Sequence, residues 1–140
     1  MKTMLFFAGI TLVFIALLYF LQEKMIYFPR QYNPNEFNHL TQRIAPLTYD
    51  TAEGEQMSFY FPPMSGGEPE SIWILSGGNA TLALEWFDFA VRFPEKKVGF
   101  LFFEYPGYGR SKGSPQPKSI RESLEKAYIQ LGKHLGKKQD

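Results

Sequence analysis

The sequence predicts an α/β fold: an antiparallel hairpin, then parallel strands alternating with helices, behind one N-terminal transmembrane helix. Three observations carry this reading. Leu5 to Leu21 (LFFAGITLVFIALLYFL) runs for 17 residues without a charge. Ser71–Leu75 (SIWIL) and Val98–Phe103 (VGFLFF) are uninterrupted apolar runs of strand length, the pattern of strands covered on both faces. A stretch with helical spacing follows each run, and strands that alternate with helices build parallel sheets.

The Leu5–Leu21 run reaches the lower limit for crossing a bilayer core about 30 Å thick. It is longer than the usual hydrophobic region of a secretory signal, and Gln22 to Tyr27 offer no small-residue cleavage site. Residues 1–24, with a cleaved signal or a buried core helix as the alternatives, therefore read as an uncleaved signal anchor. This makes the chain a single-pass membrane protein, with the lipid bilayer as its first partner. Tyr19, Phe20, Tyr27 and Phe28 suit an aromatic belt at the interface. Lys2 and the amino terminus nearly balance Lys24 and Arg30, so the positive-inside bias sets no orientation.

Residues 25–42 form a connector, in which Arg30 to Leu40 is polar and carries the turn residues Asn33, Pro34 and Asn35. Residues 43–140 read as a partial α/β domain. Ile44–Thr51 and Gln56–Phe61 flank Ala52 to Glu55 as a hairpin. Pro62 to Pro69 is a Pro/Gly loop. After the SIWIL run, Ser76, Gly77, Gly78 and Asn79 make a sharp turn. Leu82–Phe93 is then expected as one helix, capped by Asn79 or Thr81 and stopped by Pro94. Glu104 to Pro117 is a long Gly/Pro loop. Ser119 is expected to open the last helix, with Glu122 completing a capping box. Ile120, Leu124, Ala127, Tyr128, Leu131 and Leu135 give that helix an apolar face, and Gly136 with Lys137 and Lys138 its stop.

Composition narrows the function classes. The 15 basic and 14 acidic side chains nearly cancel, so nothing global favours nucleic acid. The absence of cysteine excludes disulfides, a thiolate nucleophile and cysteine-ligated metal. His39 and His134 lie far apart and make no metal-spacing motif, so neither a metal nor a cofactor is expected. Both read as structural or solvated.

Gly109 to Gly113 fits G-x-S-x-G, the nucleophile-elbow pattern. An elbow needs a strand running straight into the serine and a helix directly after it. Here the strand ends near Phe103, and Pro115 and Pro117 follow Ser111. Ser111 is therefore read as a loop residue, not a nucleophile. Gly107 to Lys112 begins like a dinucleotide-binding glycine motif, but Lys112 stands where the third glycine belongs. The Ser76–Thr81 turn lies between a strand and a helix. Backbone N–H groups in such a place can face an anion, although glycine there also serves an ordinary tight turn.

Taken together, the anchor, MIYFPR (Met25 to Arg30), ILSGGNAT (Ile74 to Thr81) and FFEYPGYGRSKGSP (Phe102 to Pro115) resemble the membrane-anchored α/β-hydrolase superfamily of serine hydrolases. The resemblance runs from the anchor to Gly136 and implies the N-terminal half of a hydrolase sheet. It makes the Gly78–Asn79 turn the oxyanion-hole loop, with the Asn79 backbone N–H as donor. Many members carry His-Gly before that Asn, where this chain has Gly77-Gly78. In the family, the true elbow follows the strand after the helix that begins near Ser119, and the acid and histidine come later still. No catalytic nucleophile, acid or base is therefore assigned within these residues.

The resemblance implies the N-terminal part of a hydrolase of esters, thioesters, amides or lipids, inactive alone. The source would be a truncated gene, a split gene or a partial record, with a second chain as one carrier of the C-terminal half. In the family order, the Ser71–Leu75 strand lies between the Val98–Phe103 strand and a fifth strand, so its far edge and apolar faces would be open. The portion from Met25 onward is accordingly expected not to fold stably alone. The alternative reading is a small membrane-tethered binding or accessory protein. Such a protein would blunt that edge with charge or proline, and SIWIL has neither.

Overall fold

The computed structural model describes residues 2–136, so Lys137 and Lys138 of the expected helix stop lie outside the described residues. Helix α1 (Lys2–Ile26) contains the uncharged run and extends beyond the expected boundary at residue 24. Its apolar stretch, Phe6–Ile26, is 21 residues long and none of it is buried against the rest of the chain. At 1.5 Å per residue that spans about 32 Å, long and apolar enough to cross a membrane.

The connector holds a helix that its polar composition concealed, α2 (Pro34–Leu40). The Asn33 side chain accepts from the Asn35 amide and Pro34 occupies the first turn, where its missing N–H costs nothing. The helix forms because Phe37 has a core to enter: it is buried among Tyr32 and Phe59.

Strands β1 (Ala45–Thr51) and β2 (Gly54–Phe61) form the expected hairpin, with β2 starting two residues early. Strands β3 (Ser71–Ser76) and β4 (Val98–Phe103) pair in parallel, while β2 and β4 pair antiparallel. The order across the sheet is β1-β2-β4-β3, so the sheet is mixed and β3 lies at an edge.

β4 is buried at every residue, as its continuous apolar run requires. Phe100 and Phe102 enter the layer made by α2, a 3-10 turn (Ala83–Trp86) and helix α3 (Phe87–Arg92). Leu101 and Phe103 face helix α4 (Pro117–His134) through Ala127 and Leu131. A buried polar link ties this second layer to the hairpin: Tyr49 Oη lies 2.9 Å from Ser58 Oγ and 3.1 Å from Ser123 Oγ. β3 departs from the covered pattern of its sequence. Trp73 and Ile74 are each 45% exposed, because no element lies beyond β3 among the described residues.

Three local expectations are corrected. Leu82–Phe93 is not one helix; the backbone at Leu82 is extended, and neither helical segment has a side-chain cap. The Asn79 oxygen that was expected to cap it accepts instead from the Phe28 amide. The capping box of α4 pairs Gln116 with Ser119, three positions earlier than Ser119 with Glu122, since Pro117 is well suited to the first helical position. Glu122 accepts from the Ala52 amide of the hairpin turn instead. Tyr128 is 63% exposed and leaves the apolar face of α4 narrower than its spacing predicts.

Candidate oxyanion loop and its buried carboxyl support

The Ser76–Leu82 turn stands at the carboxyl end of β3, beside the carboxyl end of β4. In open α/β sheets this is where ligands bind. The turn closes with the Thr81 amide donating to Gly78 O at 3.3 Å, and Ala80 takes a positive φ of 59°. That conformation costs an alanine about 1 kcal/mol. The two glycines differ. A Cβ at Gly77 would lie 2.6 Å from Thr81 O, so the turn itself requires glycine there. At Gly78 φ is not positive and a Cβ would meet its nearest atom at 3.8 Å, so the fold does not require glycine. Gly78 and Asn79 are exposed, and among the described residues nothing accepts a hydrogen bond from either amide.

The connector straps this turn down. Phe28 N–H donates to Asn79 Oδ1 and to Tyr108 Oη, each at 3.0 Å. Arg30 Nη1 donates to Ala80 O at 2.8 Å and pairs with Glu85 at 3.0 Å. Arg30 O accepts from Gly109 N at 2.8 Å. Trp86 Nε1 donates to Ser76 O at 3.1 Å from the other side.

Beneath the strap lies a pair that sequence reasoning missed. Glu104 follows β4 directly and is 1% exposed. Tyr32 Oη donates to Glu104 Oε2 in a short hydrogen bond, and the Ala83 amide donates to both carboxyl oxygens at 3.3 Å. Leu84 N–H donates to Tyr32 Oη at 3.2 Å. Burial pushes the Glu104 carboxyl up to about 7, against the lowering effect of the Tyr32 and Ala83 hydrogen bonds. Burial, then the Glu104 charge, drives the Tyr32 phenol far above its ordinary value. The carboxyl thus fixes the first residues after the loop to the strap. The legible signal was an acidic residue directly after a fully apolar strand, where burial is the default.

Ser111 lies in a loop, as its context predicts, but it is buried. Its Oγ accepts from Met57 N at 3.1 Å and donates to Met57 O at 3.3 Å, which joins the loop to β2. No histidine is among its described partners. His134 meets Tyr60 edge-on with centroids 5.4 Å apart, and His39 is exposed at the end of α2. Ser111→Ala is expected to cost about 1 kcal/mol, by leaving the part-buried Met57 amide without an acceptor. It should leave fluorophosphonate labelling unchanged; labelling abolished by this substitution would restore the elbow reading.

No family model matches the chain. An uncharacterized protein, YfhR, of Salmonella typhimurium (strain LT2) is 24% identical over 85 residues, 58% of this chain. That stretch is 29% of the length of YfhR, so the chain spans less than a third of the relative it matches.

Proposed function

We propose that this chain is the N-terminal, membrane-anchored part of a serine hydrolase and supplies its oxyanion hole through the backbone N–H groups of Gly78 and Asn79. The observation that carries the reading is an exposed turn with unengaged amides at the carboxyl end of an edge strand. Such donors stabilise the tetrahedral oxyanion of acyl transfer, worth about 10²–10³ in rate for one donor. The strand order gives further support. β3 lies outside β4, and no strand pairs with its outer edge among the described residues, where the resemblance puts the strand that leads to the nucleophile. That strand, with the serine, acid and histidine, belongs to polypeptide outside these 140 residues, either continuous with the chain or on a second chain.

Membrane anchoring rests on α1. The protein is expected to stay with the pellet through an alkaline carbonate wash. Release to the supernatant, or a mature amino terminus beyond Leu21, would contradict it.

The catalytic proposal is tested by hydrolysis of a short-chain nitrophenyl ester by the assembled protein. Asn79→Pro removes the donor N–H and is expected to lower kcat about 10²-fold or more. Asn79→Ala keeps that N–H and loses only the tie to Phe28, so it should cost much less. Equal rates for Asn79→Pro and the unaltered protein would reject the oxyanion role.

A further inference from the structure

Two residues of chain separate the end of α1 from the candidate site. α1 ends at Ile26, and the Phe28 amide is already bonded to Asn79 and Tyr108. Two extended residues reach about 7 Å at most, so the last turn of α1 cannot move away from the loop while those bonds hold. A second tie comes from the opposite layer. Gln116 Nε2, at the start of α4, donates to Glu23 Oε2 in the last turns of α1 at 3.0 Å. Arg30 then binds both Ala80 and Gly109.

All these ties fall at one end of the sheet. β3 and β4 finish there, and the hairpin turn between β1 and β2 joins them: Lys112 N donates to Glu55 O at 2.9 Å and Ser114 N to Glu53 Oε2 at 3.1 Å. The other end carries the segment before β3, which the six residues of that strand set about 20 Å away. The apolar stretch of α1 is nowhere buried against the body. Met25, Ile26 and Phe28, each more than half exposed, ring the junction.

We propose that the end of the sheet bearing the Ser76–Leu82 loop lies against the bilayer surface, and that the site meets a ligand held in the lipid leaflet, an amphiphilic acyl compound with its carbonyl at headgroup depth. The acyl chemistry of that ligand rests on the function proposed above; the apposition to lipid rests on the strap alone. Exposed charges at this end are of both signs, with Lys24, Arg30 and Arg110 against Glu23, Glu53 and Glu85, so a zwitterionic surface suffices.

The chain has no cysteine, so single thiols report position cleanly. Gly78→Cys places one on the loop, where a Cβ fits, and Glu68→Cys places one on an exposed residue at the far end. Each full-length variant is labelled with a fluorophore and reconstituted in phosphatidylcholine vesicles containing headgroup-spin-labelled phosphatidylcholine. The Gly78→Cys probe is expected to lose most of its emission, and the Glu68→Cys probe none. Equal quenching at the two positions, or none at either, would overturn the apposition. The readout needs no turnover. Assembled protein, with the remaining polypeptide present, that passes it yet supports no acyl transfer would refute the proposed function while the lipid-facing site stands. Assembled protein that hydrolyses a dispersed short-chain ester faster than a long-chain ester embedded in the same vesicles would refute the leaflet-held ligand.

Discussion

Gly109→Ala is expected to destabilise the full chain by about 3 kcal/mol, among the largest effects of any single methyl group added here. Gly109 sits at φ 57°, where an L side chain costs about 1 kcal/mol. The added Cβ would lie 2.5 Å from Tyr32 Cε2 and 2.6 Å from Glu104 Oε2. Both atoms belong to the buried pair, so relief means pushing the carboxyl off the Ala83 amide or the phenol out of its packing against Phe37 and Phe59. Overpacking of that kind adds about 2 kcal/mol. The check is the urea midpoint of the assembled protein in detergent, with hydrogen exchange at Ala83 and Leu84 reporting the local loss. Gly78→Ala is the control, expected to shift stability by about 0.5 kcal/mol or less, since a Cβ there makes only an ordinary contact, 3.8 Å from Thr81 Oγ1. Equal midpoints for the two variants would contradict the packing described.

Stability is also expected to fall as pH rises from about 5 to 8, opposite to the behaviour of a chain whose carboxyls are salt-bridged. The Glu104 carboxyl titrates at about 7 in the fold against an ordinary 4.5. Between those values the folded state keeps a proton that the unfolded chain has released, so stability is full below about 4.5 and is lost as pH passes 7. Each unit is worth about 1.4 kcal/mol, which puts the total loss at about 3 kcal/mol. Burial is the main cause, so Glu104→Gln, which keeps the shape and cannot ionise, should flatten the slope while costing some stability at pH 5. Denaturant midpoints at a series of pH values decide it. Stability that rises across this range, with a slope the Gln variant does not change, would refute the assignment.

How much of this was legible in the sequence differs by element. β4 was plain, because six apolar residues in a row have no stable alternative to burial on both faces. The hairpin and the start of the membrane helix were equally direct. α2 was hidden because the chain around it is polar and only Phe37, with Leu40 partly buried beside it, faces inward; its existence depends on a tertiary partner, Phe59. The Leu82–Phe93 stretch was misread because its spacing suits a helix. The Asn79 oxygen that should have capped it is taken by a residue 51 positions earlier. The same long-range strap explains the site. Gly77 to Asn79 was visible as a turn, but Phe28, Tyr32, Glu104 and Tyr108 reach it from distant parts of the chain, and no local pattern couples them.

The most direct measurement is fluorophosphonate labelling of native membranes, followed by capture through this chain and mapping of the modified serine. The expected result is a label on the serine of a G-x-S-x-G motif outside residues 1–140, captured with Asn79 intact and lost with Asn79→Pro. Captured material with no labelled serine, or with the label on Ser111, would contradict the assignment of this chain as the oxyanion-hole part of a serine hydrolase.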